Sequence, residues 1–186
     1  MRWFKKPSGD PLTVSMCGVK LADRLLVLGT SDTALIAALA TKAGLTGRAV
    51  IVDESDEARS TAAAAIEKEG VLIESFTSPF TSLPFEADAF DVVVMRNVLS
   101  AMPSHLRLPA VAETTRVIRP GGRCLVINDV RRAGLASLVG GHASDSAASG
   151  AAAVALLGEV GFRGARTLAE RDGVVFVEGV KPGQAG

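Results

Sequence analysis

The chain has 186 residues, 48% of them hydrophobic and 22% charged, with 20 basic side chains balanced by 20 acidic ones. That length suits one α/β domain around a buried sheet. The zero formal net charge offers no attraction for nucleic acid, so none is expected as a partner. No apolar run approaches the roughly 18 residues of a spanning helix, and residues 1–7 carry basic and aromatic side chains without the apolar centre of a signal peptide. Cys17 and Cys124 lie far apart in sequence and form no disulfide framework. A reducing cytoplasm is therefore the expected compartment, and no metal site is expected.

Residues 1–18 read as an N-terminal extension, 19–182 as the domain and 183–186 as a disordered tail. Leu25-Leu26-Val27-Leu28, ended by Gly29, is continuous in the way a strand buried on both faces is. Ser31 or Asp32 can cap the helix that follows, whose Leu35, Ile36 and Leu39 share a face before Gly44 stops it. Ala49-Val50-Ile51-Val52 repeats the strand pattern and ends at Asp53, and an Ala-rich helix over residues 55–69 stops at Gly70. Val71-Leu72-Ile73 predicts a third strand. The proline-punctuated stretch 78–85 is no regular helix, and Phe90-Asp91-Val92-Val93-Val94-Met95 predicts a fourth strand.

Ser104 is placed to cap a helix through Ile118, and Cys124 to Ile127 predict a fifth strand after the turn Pro120-Gly121-Gly122. Residues 131–149 are rich in Gly, Ala and Ser and predict a connection, with a helical piece around 135–139. A helix over 151–159 leads to Gly161-Phe162, and strands near 165–170 and 174–178 are joined by the turn signal Asp172-Gly173. Strands alternating with crossover helices predict a mainly parallel sheet covered on both faces.

Several segments carry a family resemblance: the Gly29 loop, Asp53 placed 24 residues beyond it, Leu83-Pro84-Phe85 followed by Phe90-Asp91-Val92, and Arg116-Val117-Ile118-Arg119-Pro120-Gly121-Gly122-Arg123. In this order they resemble the seven-stranded methyltransferases that use S-adenosylmethionine (SAM), most nearly the ubiquinone and menaquinone methyltransferases. The resemblance spans about residues 19–181. It implies a three-layer Rossmann-like α/β fold whose seven-stranded sheet is mainly parallel, with one antiparallel strand in a C-terminal hairpin. It also implies SAM as cofactor, with Asp53 holding the ribose and the loops after the strands forming the site. On that likeness Gly29, Thr30, Ser31, Asp32, Asp53, Glu54, Phe80 and Arg96 are the candidate cofactor residues. Asn97, Asp129 and Arg131 are the candidates for a small-molecule acceptor.

The chain departs from the family at three points. Val27 stands where the family has an acid in the first strand, Ser31 and Thr33 stand where it has loop glycines, and Pro79 stands where it often has another acid. Asp32 can take over the role of the first acid or simply cap its helix, and Asp53 can serve the ribose or cap the helix beside Ser55. The Leu83–Phe85 segment can flank an adenine or pack in the core, Pro120-Gly121-Gly122 is first a structural turn, and Arg96 can be a capping or surface cation. Two functions follow: a SAM-dependent methyltransferase for a small molecule, or a methyltransferase-like ligand-binding or interaction module without turnover. Methyl transfer from a sulfonium needs alignment more than a strong base, and the chain, having no tyrosine, cannot orient an acceptor through a phenol.

Overall fold

The computed structural model describes residues 9–129 and 150–183. In chain order the elements are α1 Pro11–Met16, β1 Arg24–Leu28, α2 Thr33–Ala43, β2 Arg48–Asp53, α3 Asp56–Lys68, β3 Glu74–Thr77 and β4 Phe90–Arg96. They continue with α4 Val98–Ala101, α5 Ser104–Val117, β5 Ile118–Asp129, α6 Gly150–Glu159, β6 Arg163–Arg171 and β7 Val174–Val180. Among the described residues seven strands form one sheet in the order β3-β2-β1-β4-β5-β7-β6. Only β7 runs against the rest: it pairs antiparallel with both β5 and β6, while β1 pairs in parallel with β2 and β4. This is the mainly parallel sheet, covered on both faces, that the strand and helix alternation predicts, and the Rossmann-like methyltransferase fold that the resemblance implies.

Alternation along the strands divides the core. Leu26 and Leu28 of β1 join Val93, Met95, Val111 and Leu157 on the face covered by α4, α5 and α6. Leu25 and Val27 join Val14, Leu35, Ile36 and Ile66 on the face covered by α1, α2 and α3. Both faces of β1 are buried because successive side chains point opposite ways. Residues 10–17, part of the expected extension, thus contribute a helix whose Val14 packs into the core, with Cys17 buried behind it. Burial pushes the thiols of Cys17 and Cys124 up to about 12.

The third strand differs from expectation. It is Glu74–Thr77, paired Val50↔Glu74 through Asp53↔Thr77 at the sheet edge, and Val71-Leu72-Ile73 is its approach, with Leu72 75% exposed. An edge strand has one neighbour and needs little apolar surface. This one is held instead by Arg48 donating to both Glu74 oxygens at 2.7 and 2.8 Å and by Phe76 edge-on to Phe85 at 5.2 Å. Ser104 does not cap α5 either: the N-cap is Pro103, and no side chain bonds there. The short α4, absent from the sequence reading, turns the chain first.

The Pro120-Gly121-Gly122 turn lies inside β5, where the pairing with β4 shifts from Phe90↔Ile118 to Val92↔Arg123. Gly121 takes φ 75°, and a Cβ on Gly122 would stand 2.6 Å from Ile118 Cγ2 and 2.9 Å from the Asp91 carbonyl oxygen. Glycine is required there by space as well as by conformation. At the far end Asp172 and Gly173 have φ of 55° and 78°, as a two-residue type I′ hairpin demands.

Asp91, at the amino edge of the sheet, binds Arg24 through its backbone N–H at 2.8 Å and its Nε at 3.0 Å, and Arg119 from the β5 turn. Burial would raise its carboxyl, but the hydrogen bonds from Arg24 and Arg119 outweigh burial and bring it from 3.8 down to about 2. A carboxyl depressed in the folded state stabilises it above the unfolded value, and that contribution is lost as pH falls from about 4 toward 2. Asp91→Asn should therefore lower stability by roughly 1–2 kcal/mol at pH 7 and flatten the acid-induced loss in urea melts over that window.

Candidate functional site

The parallel register brings the carboxyl ends of β1, β2 and β4 to one edge, with Leu28 level with Val52 and Met95. Gly29 follows with φ 84°, and a Cβ there would lie 2.6 Å from the Arg96 carbonyl oxygen and 3.1 Å from Val98 Cγ2. The Gly29 N–H donates to the Val52 carbonyl at 3.0 Å. The loop therefore crosses directly over the end of β4, which explains a glycine here while Ser31 and Thr33 occupy the later loop positions.

Asp53 stands at the tip of β2 facing this loop. Its Oδ2 accepts the Thr30 N–H at 3.0 Å and the Thr30 hydroxyl at 2.7 Å, and its Oδ1 accepts the Ser55 N–H at 3.0 Å. Ser55 in turn caps α3 by accepting the Ala58 N–H. Asp53 thus has the strand-tip position of a ribose ligand and also braces the start of the next helix. Thr30 is 7% exposed, whereas Ser31 faces solvent.

Asp32 divides its two oxygens. Oδ1 accepts the Leu35 N–H at 3.0 Å as the N-cap of α2, and Oδ2 pairs with Arg96 Nε at 3.4 Å. Arg96 also donates from Nη2 to Asp129 Oδ1 at 2.8 Å and from Nη1 to Asn97 Oδ1 at 2.9 Å. Asn97 takes the left-handed conformation, φ 58°. There its amide donates to Asp129 Oδ2 at 2.9 Å and its Oδ1 accepts the Asp129 N–H at 2.8 Å. Four of the expected residues, Asp32, Arg96, Asn97 and Asp129, are thereby joined in one network of two carboxylates and one guanidinium. The Arg96 and Asp32 side chains are 11% and 5% exposed and that of Asp129 is 52% exposed.

A cavity of about 300 Å³ opens beside this network, walled by Met16, Ile127, Val174 and Phe176 and reached by Asp32, Arg96 and Asp129. The walls from α1 and from the hairpin escape a motif search. The available signal was the spacing of Val14 and Cys17, which marks residues 10–17 as a packed helix ahead of β1. A second, more open hollow of about 450 Å³ lies between the starts of α2 and α3, lined by Thr30, Ser31, Thr33, Asp53, Ser55 and Thr61.

Glu54 and Phe80 sit differently. Glu54 Oε1 accepts the Phe80 N–H at 3.1 Å, and the Phe80 side chain is 8% exposed in the core with Leu28 and Val52. The loops after β2 and β3 are thus fastened to each other. Leu83 is also core, and α5 holds its segment: Glu113 accepts the Leu83 N–H at 2.8 Å, and Arg116 donates to the Phe85 carbonyl at 2.8 Å. Arg131, and with it the expected helical piece, lies outside the described residues.

A methyltransferase-domain profile matches residues 26–126, more than half of the chain. The chain belongs to that methyltransferase family. No curated protein sequence matches it. Among solved structures it resembles a SAM-dependent methyltransferase from Aquifex aeolicus, with TM-score 0.77 and 20% identity over 94% of this chain and 93% of that one. A SAM-dependent O-methyltransferase from Thermotoga maritima aligns with TM-score 0.71 and 14% identity over 100% and 69% of the two chains. The [4+2]-cyclase SpnF aligns with TM-score 0.73 and 17% identity over 94% and 81%. At these identities the likeness defines the fold, and a cyclase among the neighbours shows that this fold hosts more than one chemistry.

Gly29→Ala combines a strained φ with an overlap against backbone. It should cost about 2–4 kcal/mol of stability, read as a lower urea midpoint at unchanged slope.

Proposed function

We propose that this protein is a SAM-dependent methyltransferase acting on a small-molecule acceptor in the cytoplasm. The carrying observation is the Asp32–Arg96–Asp129 network bordering a partly apolar cavity at the carboxyl edge of the sheet. The residues suit the cofactor in kind. Asp53 has three donors on its two oxygens, leaving one of about four acceptor positions for a ribose hydroxyl. The carboxylates of Asp32 and Asp129 and the guanidinium of Arg96 offer complementary charge to the zwitterionic amino-acid end. Bound SAM would supply an electrophilic methyl group on a sulfonium.

The protein's own contribution is alignment. Gly29 lets the loop lie close over β4, Arg96 and Asn97 fix the Asp129 carboxylate, and Met16, Ile127 and Phe176 give an acceptor an apolar wall that excludes water. That wall supports an acceptor with a substantial apolar part. The cytoplasmic assignment is supported by two buried, unpaired thiols. Among the described residues no helix is long and apolar enough to cross a membrane.

A second reading, a binding or interaction module without turnover, is favoured by one contact: the Thr30 hydroxyl occupies Asp53 Oδ2 at 2.7 Å. Calorimetry and thermal melting with SAM and S-adenosylhomocysteine separate the two. The methyltransferase reading expects stabilisation of about 2.7 kcal/mol at a hundredfold excess of ligand over its Kd, and Asp53→Ala weakening binding by about tenfold or more. No shift at millimolar cofactor would support the second reading instead.

A further inference from the structure

We propose that Thr30 sets how many ribose hydroxyls Asp53 takes from a bound nucleoside: one freely, and a second only by displacing its own. The inference rests on the reading of this edge as the SAM site. A carboxylate offers about four acceptor positions. Three are filled, two on Oδ2 by the Thr30 N–H and hydroxyl and one on Oδ1 by the Ser55 N–H. The two backbone donors lie in the turns that open α2 and α3, so a bound ligand cannot release them without unwinding those starts. The Thr30 hydroxyl alone can leave by side-chain rotation.

A ribose brings two adjacent hydroxyl donors to a carboxylate with one vacancy. The first fills the open position on Oδ1. The second requires Oδ2 to give up the Thr30 hydroxyl, and Thr30 is 7% exposed, so that hydroxyl has little water to turn to. A buried hydroxyl left without a partner weakens binding by about tenfold. Thr30 is therefore a specificity-determining residue: it levels the affinities of ribonucleoside and deoxyribonucleoside ligands that the carboxylate would otherwise separate.

The test is calorimetry of S-adenosylhomocysteine and its 2′-deoxy analogue on the full chain, wild type and Thr30→Val. The wild type should bind the two ligands with similar affinity. Thr30→Val should bind S-adenosylhomocysteine about tenfold tighter than the wild type does and the 2′-deoxy analogue no tighter. Thr30→Ser, which keeps the hydroxyl, should match the wild type. If Thr30→Val fails to fold, Thr30→Ala removes the same donor, and the wild-type comparison needs no variant. A Thr30→Val protein that binds S-adenosylhomocysteine equally or more weakly overturns this inference alone, since Thr30 would then be orienting Asp53 for the ribose. So does a wild type that strongly prefers the ribonucleoside. Binding by neither wild type nor variants at millimolar ligand overturns the cofactor reading as well.

Discussion

A guanidinium held between two carboxylates organises the carboxyl edge of this sheet. Arg96 ends β4, Asp32 caps α2 and Asp129 ends β5, so one partly buried cation couples three elements through its charge requirement. Asp32 is 6% exposed, and a charge so buried is tolerated only when paired and hydrogen-bonded. The pairing has a backbone consequence. Asn97 enters the left-handed region, which asparagine reaches more readily than most residues, and from there its amide meets Asp129 as both donor and acceptor.

That arrangement gives the edge an uneven character. The network holds one negative charge in excess, and the cavity beside it is lined by Met16, Ile127 and Phe176 together with Asp10, Arg171 and Asp172, so apolar surface and charged side chains meet within it. The pairing of Arg96, whose side chain is 11% exposed, also limits reorganisation, because a paired group with little access to water cannot rearrange cheaply. The tip of β2 is looser. Asp53 is partly exposed and shares its bonds between a side-chain hydroxyl and two backbone donors, so a ligand could exchange one of them.

The segments that announce the family in sequence are chiefly structural in space. Pro120-Gly121-Gly122 bends β5 and lets it pass Ile118 and the Asp91 carbonyl. Leu83 and Phe85 belong to the core side of the molecule, with Phe85 edge-on to Phe90 at 5.0 Å and its carbonyl held by Arg116. Their physical demands in this sheet are a tight bend and an aromatic cluster. They therefore identify the fold more securely than the reaction.

Periodicity and turn chemistry determined by themselves the order of the strands and of α2, α3, α5 and α6, a cap for α2 at Ser31 or Asp32, the stops at Gly44 and Gly70 and the closing hairpin, because each depends on near neighbours in the chain; α1 and α4 lay outside their reach. The third strand departs from the hydrophobic pattern because at a sheet edge pairing prevails over hydrophobicity, so Glu74–Thr77 pairs while the more apolar Val71–Ile73 does not. Only the tertiary structure decided that Thr30 turns onto Asp53, that Arg96 joins Asp32 to Asp129, that Phe80 is buried and that α1 walls the cavity. Those are contacts between residues brought together by the register of β1, β2, β4 and β5. Their energies depend on burial and on competing partners, neither of which is written in the local spacing of side chains.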